Sequence, residues 1–489
     1  MSENKNYDVI FKSTFLFAFV QAFSIIVKVV LNKVAAITLG SQGIGMIGLF
    51  TSAIGMLKTG TSLGISQSAV RDISEANQND DSEAFSKTII TTQKVIVVTA
   101  FIGFFITVLL SSWLSKWTFG NNLYTTSFLF LSIAVVFTTL WEGQLAILKG
   151  MRYLRLLAKA NIFGSLVGLF ISIPLYIVYE VNGIIPVLII TPLTAFLFSY
   201  YYVRKIKYKR LKLSNKEIFQ KATPMVKMGI ALSITTFLSQ ISVFLISTYI
   251  GSEGGLQTVG FYNAGVIIMV GYFSVVINAL TTDYYPRIAA VNNDNTKLQN
   301  ELNQQSIVSL LITFPLIVLF LLLLPFLITL LYSKEFYPII DFIRIGIYGV
   351  LITIISNQVD LILIAKNNTK IFTILAVFYR IIELLLNVVF FKFYGLTGMG
   401  ISMVITGIIH MIIMTFAVKK LYSISFETLF IKTALVALFF VLITSFLSIE
   451  ENVFIRYSTG GVMFVLACFF SFFFSKKYLN FNLLKIISK

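Results

Sequence analysis

The sequence predicts an all-α polytopic membrane protein with fourteen transmembrane helices, arranged as two six-helix lobes and a C-terminal helix pair. First, 57% of the 489 residues are hydrophobic and only 12% are charged, and the mean hydropathy is +0.88, far from the composition of soluble domains. Second, nearly all of fourteen apolar segments have the roughly 20 residues that a helix needs to cross a hydrocarbon core of about 30 Å. Third, the first six segments recur as the next six.

The segments are apolar on every face, whereas strands of a membrane β-barrel alternate in polarity over about ten residues. The first six cover residues 13–37, 44–70, 89–111, 126–148, 156–178 and 184–203. The next six follow at nearly the same spacing and cover 225–250, 259–281, 307–331, 342–365, 371–391 and 396–418. The C-terminal pair covers 429–447 and 453–475.

Single identities at one constant separation along the chain support an internal repeat, among them Gln42 with Gln257, Gly45 with Gly260, and Gly183 with Gly398. We call this shared separation the repeat offset. Because each repeat has an even number of spans, we expect parallel repeats that face the same way. The predicted domains are a lobe at 1–203, a basic cytoplasmic linker at 204–224, a lobe at 225–421, helices thirteen and fourteen at 422–475, and an amphipathic cytoplasmic tail at 476–489.

The net charge of +17 does not indicate nucleic acid here, because Lys and Arg concentrate on one side of the predicted membrane. By the positive-inside rule, this bias places both termini in the cytoplasm. The largest basic cluster contains Arg204, Lys205, Lys207, Lys209, Arg210, Lys212, Lys216 and Lys221. A topology anchor and hinge explains this cluster, and the gathering of anionic lipid or an anionic lipid-linked substrate is the alternative.

Charges inside spans cost on the order of 3 kcal/mol each near the bilayer centre, so they demand an explanation. Lys58 lies near the midpoint of the second span, and Lys28 lies near the middle of the first. Polar residues at helical spacing form a stripe with Gln21, Ser24, Lys28 and Asn32. The seventh span has a similar face with Ser233, Thr236, Gln240 and Ser247. These faces predict a hydrated cavity with a cationic wall and an anionic ligand; ion pairs or helix contacts are the alternative.

Three acidic side chains within the spans are candidates for coupling to H+ or Na+: Glu142, Asp360 and Glu383. A structural, hydrogen-bonded carboxylate is an equally open interpretation of Glu142 and Asp360. Glu383 is three residues after Arg380, so an internal ion pair is expected there.

Charges at the cytoplasmic ends of two spans suggest a second arrangement. Arg71 follows the second span, and Asp283 and Arg287 follow the eighth. They are candidates for a cytoplasmic gate of opposing charges, although anchoring at the membrane interface explains them more simply.

The sequence contains little that indicates catalysis, a metal or a cofactor. No Gly-rich phosphate loop precedes a lysine, so ATP is not expected to drive the protein. His410 is the only histidine and Cys468 the only cysteine, so we predict neither a metal site nor a disulfide. His410 is expected to be a helix-contact residue, with a proton site as the alternative. Asp80 and Asp81 fall in a predicted solvated loop at 74–86.

Several short motifs make the chain resemble the O-antigen and polysaccharide translocases of the multidrug/oligosaccharidyl-lipid/polysaccharide (MOP) exporter superfamily. The motifs are Gly40-Ser41-Gln42-Gly43-Ile44-Gly45-Met46-Ile47-Gly48, Leu63-Gly64-Ile65 with Ala69-Val70-Arg71, Val259-Gly260-Phe261-Tyr262-Asn263-Ala264, Thr282-Asp283-Tyr284-Tyr285-Pro286-Arg287 and Tyr394-Gly395-Leu396-Thr397-Gly398. Their order and spacing, more than any one of them, carry the resemblance, which extends over essentially the whole chain.

The resemblance implies a flippase that moves an undecaprenyl-pyrophosphate-linked oligosaccharide across a bacterial inner membrane by alternating access. Its partners would be that lipid-linked substrate, membrane lipids, and the polysaccharide polymerase and chain-length machinery. Relatives carry cationic residues in a central cavity, and Lys28 and Lys58 suit that role as point charges, whereas arginine would bind phosphate in a bidentate way.

Two other functions remain open at this point. A cation-coupled multidrug exporter of the same superfamily would share the lobes, but we expect acidic and aromatic residues to dominate its cavity. An integral-membrane polysaccharide polymerase usually needs a sizeable outer loop with catalytic acids or arginines, and every predicted outer loop here is short. A transporter is therefore favoured over an enzyme.

Overall fold

The computed structural model describes residues 2–78, 82–209 and 211–478, with side chains for 20–77, 82–209 and 211–477. Within these residues the regular elements are all helical. The α-helices are α1 (Ser2–Thr61), α2 (Ile65–Gln78), α3 (Ser82–Phe119), α4 (Thr125–Gly150), α5 (Leu154–Tyr179), α6 (Ile184–Val203), α7 (Asn215–Val266), α8 (Tyr272–Ala290), α9 (Asn295–Leu331), α10 (Ile340–Ala365), α11 (Thr369–Tyr422), α12 (Thr428–Leu447) and α13 (Val453–Tyr478). Short 3₁₀ turns precede α6 and α10, and a π turn joins α7 to α8.

Ten helical runs in the described part of the chain are long and apolar enough to cross a membrane. Six of them hold one predicted segment each, and the other four hold two each: Val20–Thr61, Leu154–Val203, Asn215–Ala290 and Thr369–Tyr422. As one straight helix, the first of these four would be about 63 Å long, twice the hydrocarbon thickness. The all-helical, multi-pass class is confirmed. The division into fourteen passes and two lobes stays a prediction.

Unusual backbone conformations recur in the structure at the repeat offset. Gly40 inside α1 has φ 66° and ψ −169°, and Gly255 inside α7 has φ 76° and ψ 174°. This conformation is open essentially to glycine alone. Glu180 (φ 46°, ψ −126°) and Gly395 (φ 56°, ψ −138°) form a second pair at the same offset. The chain is therefore interrupted at matching places in the two repeats.

The turn between α4 and α5 is repeated between α10 and α11. Arg152 and Asn367 have φ values of 57° and 56°. The backbone N–H groups of Tyr153 and Asn368, the next residues, each donate to the carbonyl oxygen five residues earlier, at 3.0 and 2.9 Å. The internal repeat is thus visible in backbone hydrogen bonds that the weak sequence identity does not reveal.

Two buried clusters follow the same offset. The first includes Ala69, Ile73, Ile147, Leu148 and Val203. The second includes Tyr284, Ile288, Ile362, Leu363 and Val418. Each of these lies at the repeat offset from the corresponding residue of the first cluster. Since burial of apolar surface is the main force that packs each cluster, the pattern of core positions repeats together with the backbone.

The predicted second span and the loop after it differ from the structure. α1 ends at Thr61, and Leu63 (φ 50°) and Gly64 (φ 64°) turn the chain before α2 begins. The described part of the predicted loop at 74–86 is helical, which corrects that prediction. The residue type at position 63 does not predict this turn, because leucine rarely adopts a positive φ. Asp80 and Asp81 lie outside the described residues.

The predicted linker at 204–224 ends earlier than expected, because α7 begins at Asn215. Ser214 and Glu217 form a capping box there. Glu217 Oε2 accepts hydrogen bonds from the Ser214 N–H and hydroxyl at 2.8 Å each, and the Glu217 N–H donates to Ser214 Oγ at 3.3 Å. These bonds hold the pKa of the Glu217 carboxyl below its usual value. Arg210 and residues 479–489 of the predicted tail lie outside the described residues.

The contacts divide the chain into two compact units. Unit one comprises Met1–Gly260 with Leu331–Ser333, and unit two comprises Phe261–Leu330 with Lys334–Lys489. In unit two, Phe314 of α9 lies 5.7 Å from Phe440 of α12 and 6.2 Å from Phe470 of α13, measured between ring centroids. The C-terminal helix pair is therefore packed against α9 through aromatic side chains.

Two glycines allow α1 and α7 to approach closely within unit one. An ideal Cβ at Gly45 would lie 1.9 Å from the Leu256 carbonyl oxygen, and one at Gly260 would lie 1.9 Å from the Ser41 carbonyl oxygen. The contact is reciprocal, and Gly45 and Gly260 are the pair that the sequence repeat aligned. No side chain fits between these backbones.

The outer surface of α3 is strongly apolar. Phe101, Phe105 and Leu109 follow a spacing of four residues and are 53%, 59% and 80% exposed. A patch of this kind on a water-soluble protein would promote association. On a helix of this length it fits a face in contact with lipid.

Candidate functional site

Lys58 is paired with Glu142. Lys58 Nζ on α1 lies 2.6 Å from Glu142 Oε1 on α4, and the side chains are 18% and 34% exposed. The contact joins residues 84 positions apart, so sequence spacing gave no sign of it. The sequence indicated an anion site at the lysine and a coupling site at the glutamate, whereas the structure brings them together as one neutral pair.

Gln240 of α7, another predicted cavity residue, approaches α1 next to this pair. An ideal Cβ at Gly55 would lie 2.5 Å from Gln240 Oε1, and one at Gly60 would lie 2.7 Å from the Phe237 ring. Gly55 and Lys58 are three residues apart and therefore on one side of the helix. Gln240 therefore packs against α1 about one turn before Lys58, within unit one.

Lys28 has a different environment from Lys58. The buried face of this part of α1 includes Val20 and Val27, whereas Gln21 and Lys28 are exposed and Asn32 is half-buried. Among the described side chains, Lys28 has neither an ion pair nor a hydrogen bond. The predicted polar stripe therefore lies on the unpacked side of α1. The Lys28 side chain is thus exposed, without a polar partner among the described side chains.

The Lys58–Glu142 pair gives a prediction for stability. Lys58→Met leaves the Glu142 carboxylate without its partner, and we expect a loss of about 1 to 3 kcal/mol, between the values typical of exposed and buried pairs. Lys58→Met/Glu142→Gln should recover most of the loss. Thermal unfolding in detergent of both single variants and the double variant measures the coupling energy. Additive effects would show that the pair contributes nothing.

A second polar group lies in unit two around Asp360 and the only histidine. Asp360 Oδ1 lies 3.6 Å from His410 Nε2, and His410 Nδ1 lies 3.1 Å from Ser356 Oγ. The imidazole packs on the Tyr379 ring, with 4.5 Å between centroids. Asp360 Oδ1 is buried and has no hydrogen-bond partner among the described residues. This carboxylate is therefore placed to bind a proton or a small cation.

Arg380 and Glu383 pair along α11, as their spacing predicts. Arg380 Nη1 lies 2.6 Å from Glu383 Oε2, and the guanidinium carbon lies 5.4 Å from the centroid of the Tyr379 ring. The tyrosine therefore contacts both Arg380 and His410. Glu383 has a cationic partner, whereas the nearest basic group to Asp360 that the described structure shows is the His410 imidazole.

Of the predicted gate residues, Arg287 is engaged within unit two. Its guanidinium lies 3.1 Å from Asp283 Oδ2 and also contacts Glu301 and Gln305 of α9. Arg287 thus fastens α8 to α9. Arg71 is exposed on α2 in unit one. A gate that joins these residues stays a prediction.

The described residues contain no group of three or more His, Cys, Asp or Glu side chains that could hold a metal ion.

A model of the polysaccharide biosynthesis protein family matches residues 34–341, which is more than half of the chain. The chain belongs to this family. The match covers α1 from residue 34, includes Lys58, Glu142 and Gln240, and ends at the start of α10. A comparison with curated proteins found no match.

The protein also has the fold of MOP transporters. It is similar to the lipid II flippase MurJ in an inward closed conformation, with a TM-score of 0.67, 16% identity, and coverage of 96% of this chain and 100% of that one. It is similar to an inward-facing multidrug resistance transporter of the MATE family, with a TM-score of 0.68, 15% identity and coverage of 82% and 94%. A MOP transporter from Pyrococcus furiosus, described by a binding pocket of reverse polarity, has a TM-score of 0.60, 15% identity and coverage of 84% and 96%.

Sequence reasoning missed two contacts in these sites. The Lys58–Glu142 pair joins distant helices, and so does the approach of His410 to Asp360. The one available signal was that each of these side chains is an isolated polar group in an apolar segment, where an unpaired charge is costly.

Proposed function

We propose that this protein is a flippase that moves an undecaprenyl-pyrophosphate-linked polysaccharide repeat unit, such as that of O-antigen, from the cytoplasmic to the outer leaflet of the bacterial inner membrane by alternating access. Both termini would be cytoplasmic. The family, whose members take part in polysaccharide biosynthesis, and the fold shared with a lipid II flippase support this proposal. No covalent step is needed, so the protein would act as a transporter.

The observation that carries the proposal is the exposed ammonium group of Lys28 in a membrane-spanning helix. Such a charge costs on the order of 3 kcal/mol unless water or an anion compensates it. A pyrophosphate diester supplies two negative charges and many acceptor oxygens. Lys28 would bind it directly, and the neighbouring polar side chains of Gln21 and Asn32 would bind phosphate or sugar oxygens.

Lys58 would act as a second, conditional contact. In the structure the Glu142 carboxylate is paired with its ammonium group at 2.6 Å. A bound phosphate must therefore replace the carboxylate, or the carboxylate must accept a proton first. Either route ties anion binding at Lys58 to the state of Glu142. Gln240, which lies beside the same stretch of α1, can donate an amide hydrogen bond to the ligand.

The energy source in this proposal is exchange with H+ or Na+, or the supply and consumption of substrate. Of the three predicted coupling carboxylates, Asp360 is favoured because its Oδ1 is buried without a hydrogen-bond partner in the described structure. Glu142 and Glu383 both have cationic partners. Asp360→Asn is expected to remove any dependence of transport on an imposed ion gradient while substrate binding persists.

The direct test of the proposal uses purified protein in liposomes that contain a lipid-linked oligosaccharide. Accessibility of the sugar to a membrane-impermeant oxidant reports its leaflet. Substrate in the inner leaflet of the liposomes is protected from this oxidant. We expect wild-type protein to move this protected substrate to the outer leaflet, where the oxidant reaches it. We expect the Lys28→Met/Lys58→Met/Glu142→Gln variant to leave it protected. The triple variant avoids an unpaired carboxylate. Equal rates for wild-type protein, the variant and protein-free liposomes would contradict the proposal.

A cation-coupled multidrug exporter is the second candidate. The buried Asp360 and the likeness to a multidrug resistance transporter favour it. Binding assays with organic cations and with lipid-linked oligosaccharide separate the two functions. The flippase proposal predicts saturable binding of the oligosaccharide lipid that requires Lys28, and no such binding of organic cations.

A further inference from the structure

The start of the basic linker is an ordered part of unit one. Ile206 is buried in the same core cluster as Ile73 and Val203. The Tyr208 hydroxyl donates to Gln93 Oε1 of α3 at 3.2 Å. A linker that served only to carry positive charge would need neither of these contacts.

Side chains alternate along this segment. Tyr208 points toward the protein, whereas Lys207 and Lys209 on either side of it are exposed. The Lys209 N–H donates to Ser86 Oγ at 3.1 Å, which fixes the backbone against α3. Both lysines line one surface groove, so they lie on the same side of the segment.

These lysines border a surface groove of about 290 Å³. Its lining consists of Ser82, Phe85, Ser86, Lys207, Tyr208 and Lys209. The nearby Glu83 is engaged by Lys87, at 2.7 Å, so its charge is offset. Among the described residues the groove is thus cationic, and its lining includes the Ser82 hydroxyl and the Phe85 and Tyr208 rings.

The position along the chain places the groove at the membrane surface. Tyr200 and Tyr201, at the end of α6, are 40% and 55% exposed, as is typical of aromatic residues at a membrane interface. Arg204 and Lys205 lie over these rings, with 5.6 and 4.2 Å to the respective centroids. The groove lysines follow directly after this interfacial group in the chain.

We infer that this groove binds the phosphate headgroup of an anionic phospholipid of the cytoplasmic leaflet, separately from the transported substrate. Two ammonium groups on one side match a phosphodiester charge, the Ser82 hydroxyl can donate to its oxygens, and Phe85 packs against the glycerol. Bound lipid would link α3 to the linker that leads into α7.

The test measures binding of phosphatidylglycerol to the full-length protein, by native mass spectrometry in detergent and in nanodiscs of phosphatidylcholine with and without phosphatidylglycerol. The groove variant is Lys207→Gln/Lys209→Gln. The matched control, Lys212→Gln/Lys216→Gln, removes the same charge outside the groove, from the end of the linker and the first turn of α7. Since each cation near anionic headgroups contributes about 1 kcal/mol, we expect the groove variant to lose about 30-fold in affinity. The control variant should change little.

Equal losses for the two variants would overturn the inference, because diffuse attraction by the whole linker would then explain binding. Unchanged affinity in the groove variant would overturn it as well. Competition by inorganic phosphate at concentrations similar to those of lipid would overturn the lipid assignment and show that the groove takes a soluble anion. Because the readout is lipid binding, the result does not depend on whether the protein transports an oligosaccharide.

Discussion

Replacing Lys28 and Lys58 together is expected to abolish surface polysaccharide in a strain that depends on this protein. Both ammonium groups lie on α1 within a membrane-spanning run, and the proposed substrate has a pyrophosphate that needs cationic partners inside the membrane. Loss of both would leave the headgroup without compensation, at a cost of several kcal/mol. The expected result is at least a hundredfold loss of complementation, since a tenfold change corresponds to about 1.4 kcal/mol.

The experiment should separate loss of the site from loss of the protein. Lys28→Met/Lys58→Met/Glu142→Gln removes both cations and the carboxylate that would otherwise be unpaired. Lys116→Met, in the last turn of α3, is the matched control, because it removes one exposed lysine far along the chain from α1. Immunoblots establish equal protein levels. Wild-type amounts of surface polysaccharide in the triple variant would remove the anion-site assignment.

Gly45→Ala is expected to destabilise unit one strongly. In a helix interior, alanine normally gains about 1 kcal/mol over glycine. Here the new Cβ would lie 1.9 Å from the Leu256 carbonyl oxygen and 3.1 Å from the Gly260 nitrogen. These are backbone atoms, so α1 and α7 must separate, and overpacking of this kind costs about 1 to 3 kcal/mol or more. The steric clash therefore outweighs the higher helix propensity of alanine, and the substitution lowers the stability of unit one.

Gly461→Ala on α13 is the matched control, because an ideal Cβ there meets nothing within 4 Å. Thermal unfolding in detergent should show a lower midpoint for Gly45→Ala and for Gly260→Ala, and an unchanged or higher midpoint for Gly461→Ala. If all three variants unfolded like the wild type, the close approach of α1 and α7 would be wrong.

The sequence was informative where its signal is local or periodic. Apolar length alone located the helical segments, and the repeat offset recurs in the backbone at Gly40 with Gly255 and at Arg152 with Asn367. Ser214 and Glu217 have the spacing of a capping box, yet the predicted linker at 204–224 extended past this helix start. The turn at Leu63 was not, because the conformation there is imposed by tertiary packing on a residue that does not favour it.

The sites were harder to predict than the fold. The pairing of Lys58 with Glu142 and the contact of Asp360 with His410 depend on how helices far apart in the chain meet, and a single sequence contains no such information. Arg380 with Glu383 was predictable, because three residues is a contact distance on one helix. A charge inside a span is therefore visible in the sequence, whereas its partner is visible only in the structure.

The most direct measurement of the central claim is the leaflet in which lipid-linked repeat units accumulate when the protein is depleted from growing cells. Spheroplasts and inverted membrane vesicles, treated with an impermeant sugar-oxidising reagent, distinguish the two leaflets. The flippase proposal predicts that the repeat units collect in the cytoplasmic leaflet and that wild-type protein, but not the triple variant, returns them to the outer leaflet. Accumulation of unpolymerised repeat units in the outer leaflet would contradict it.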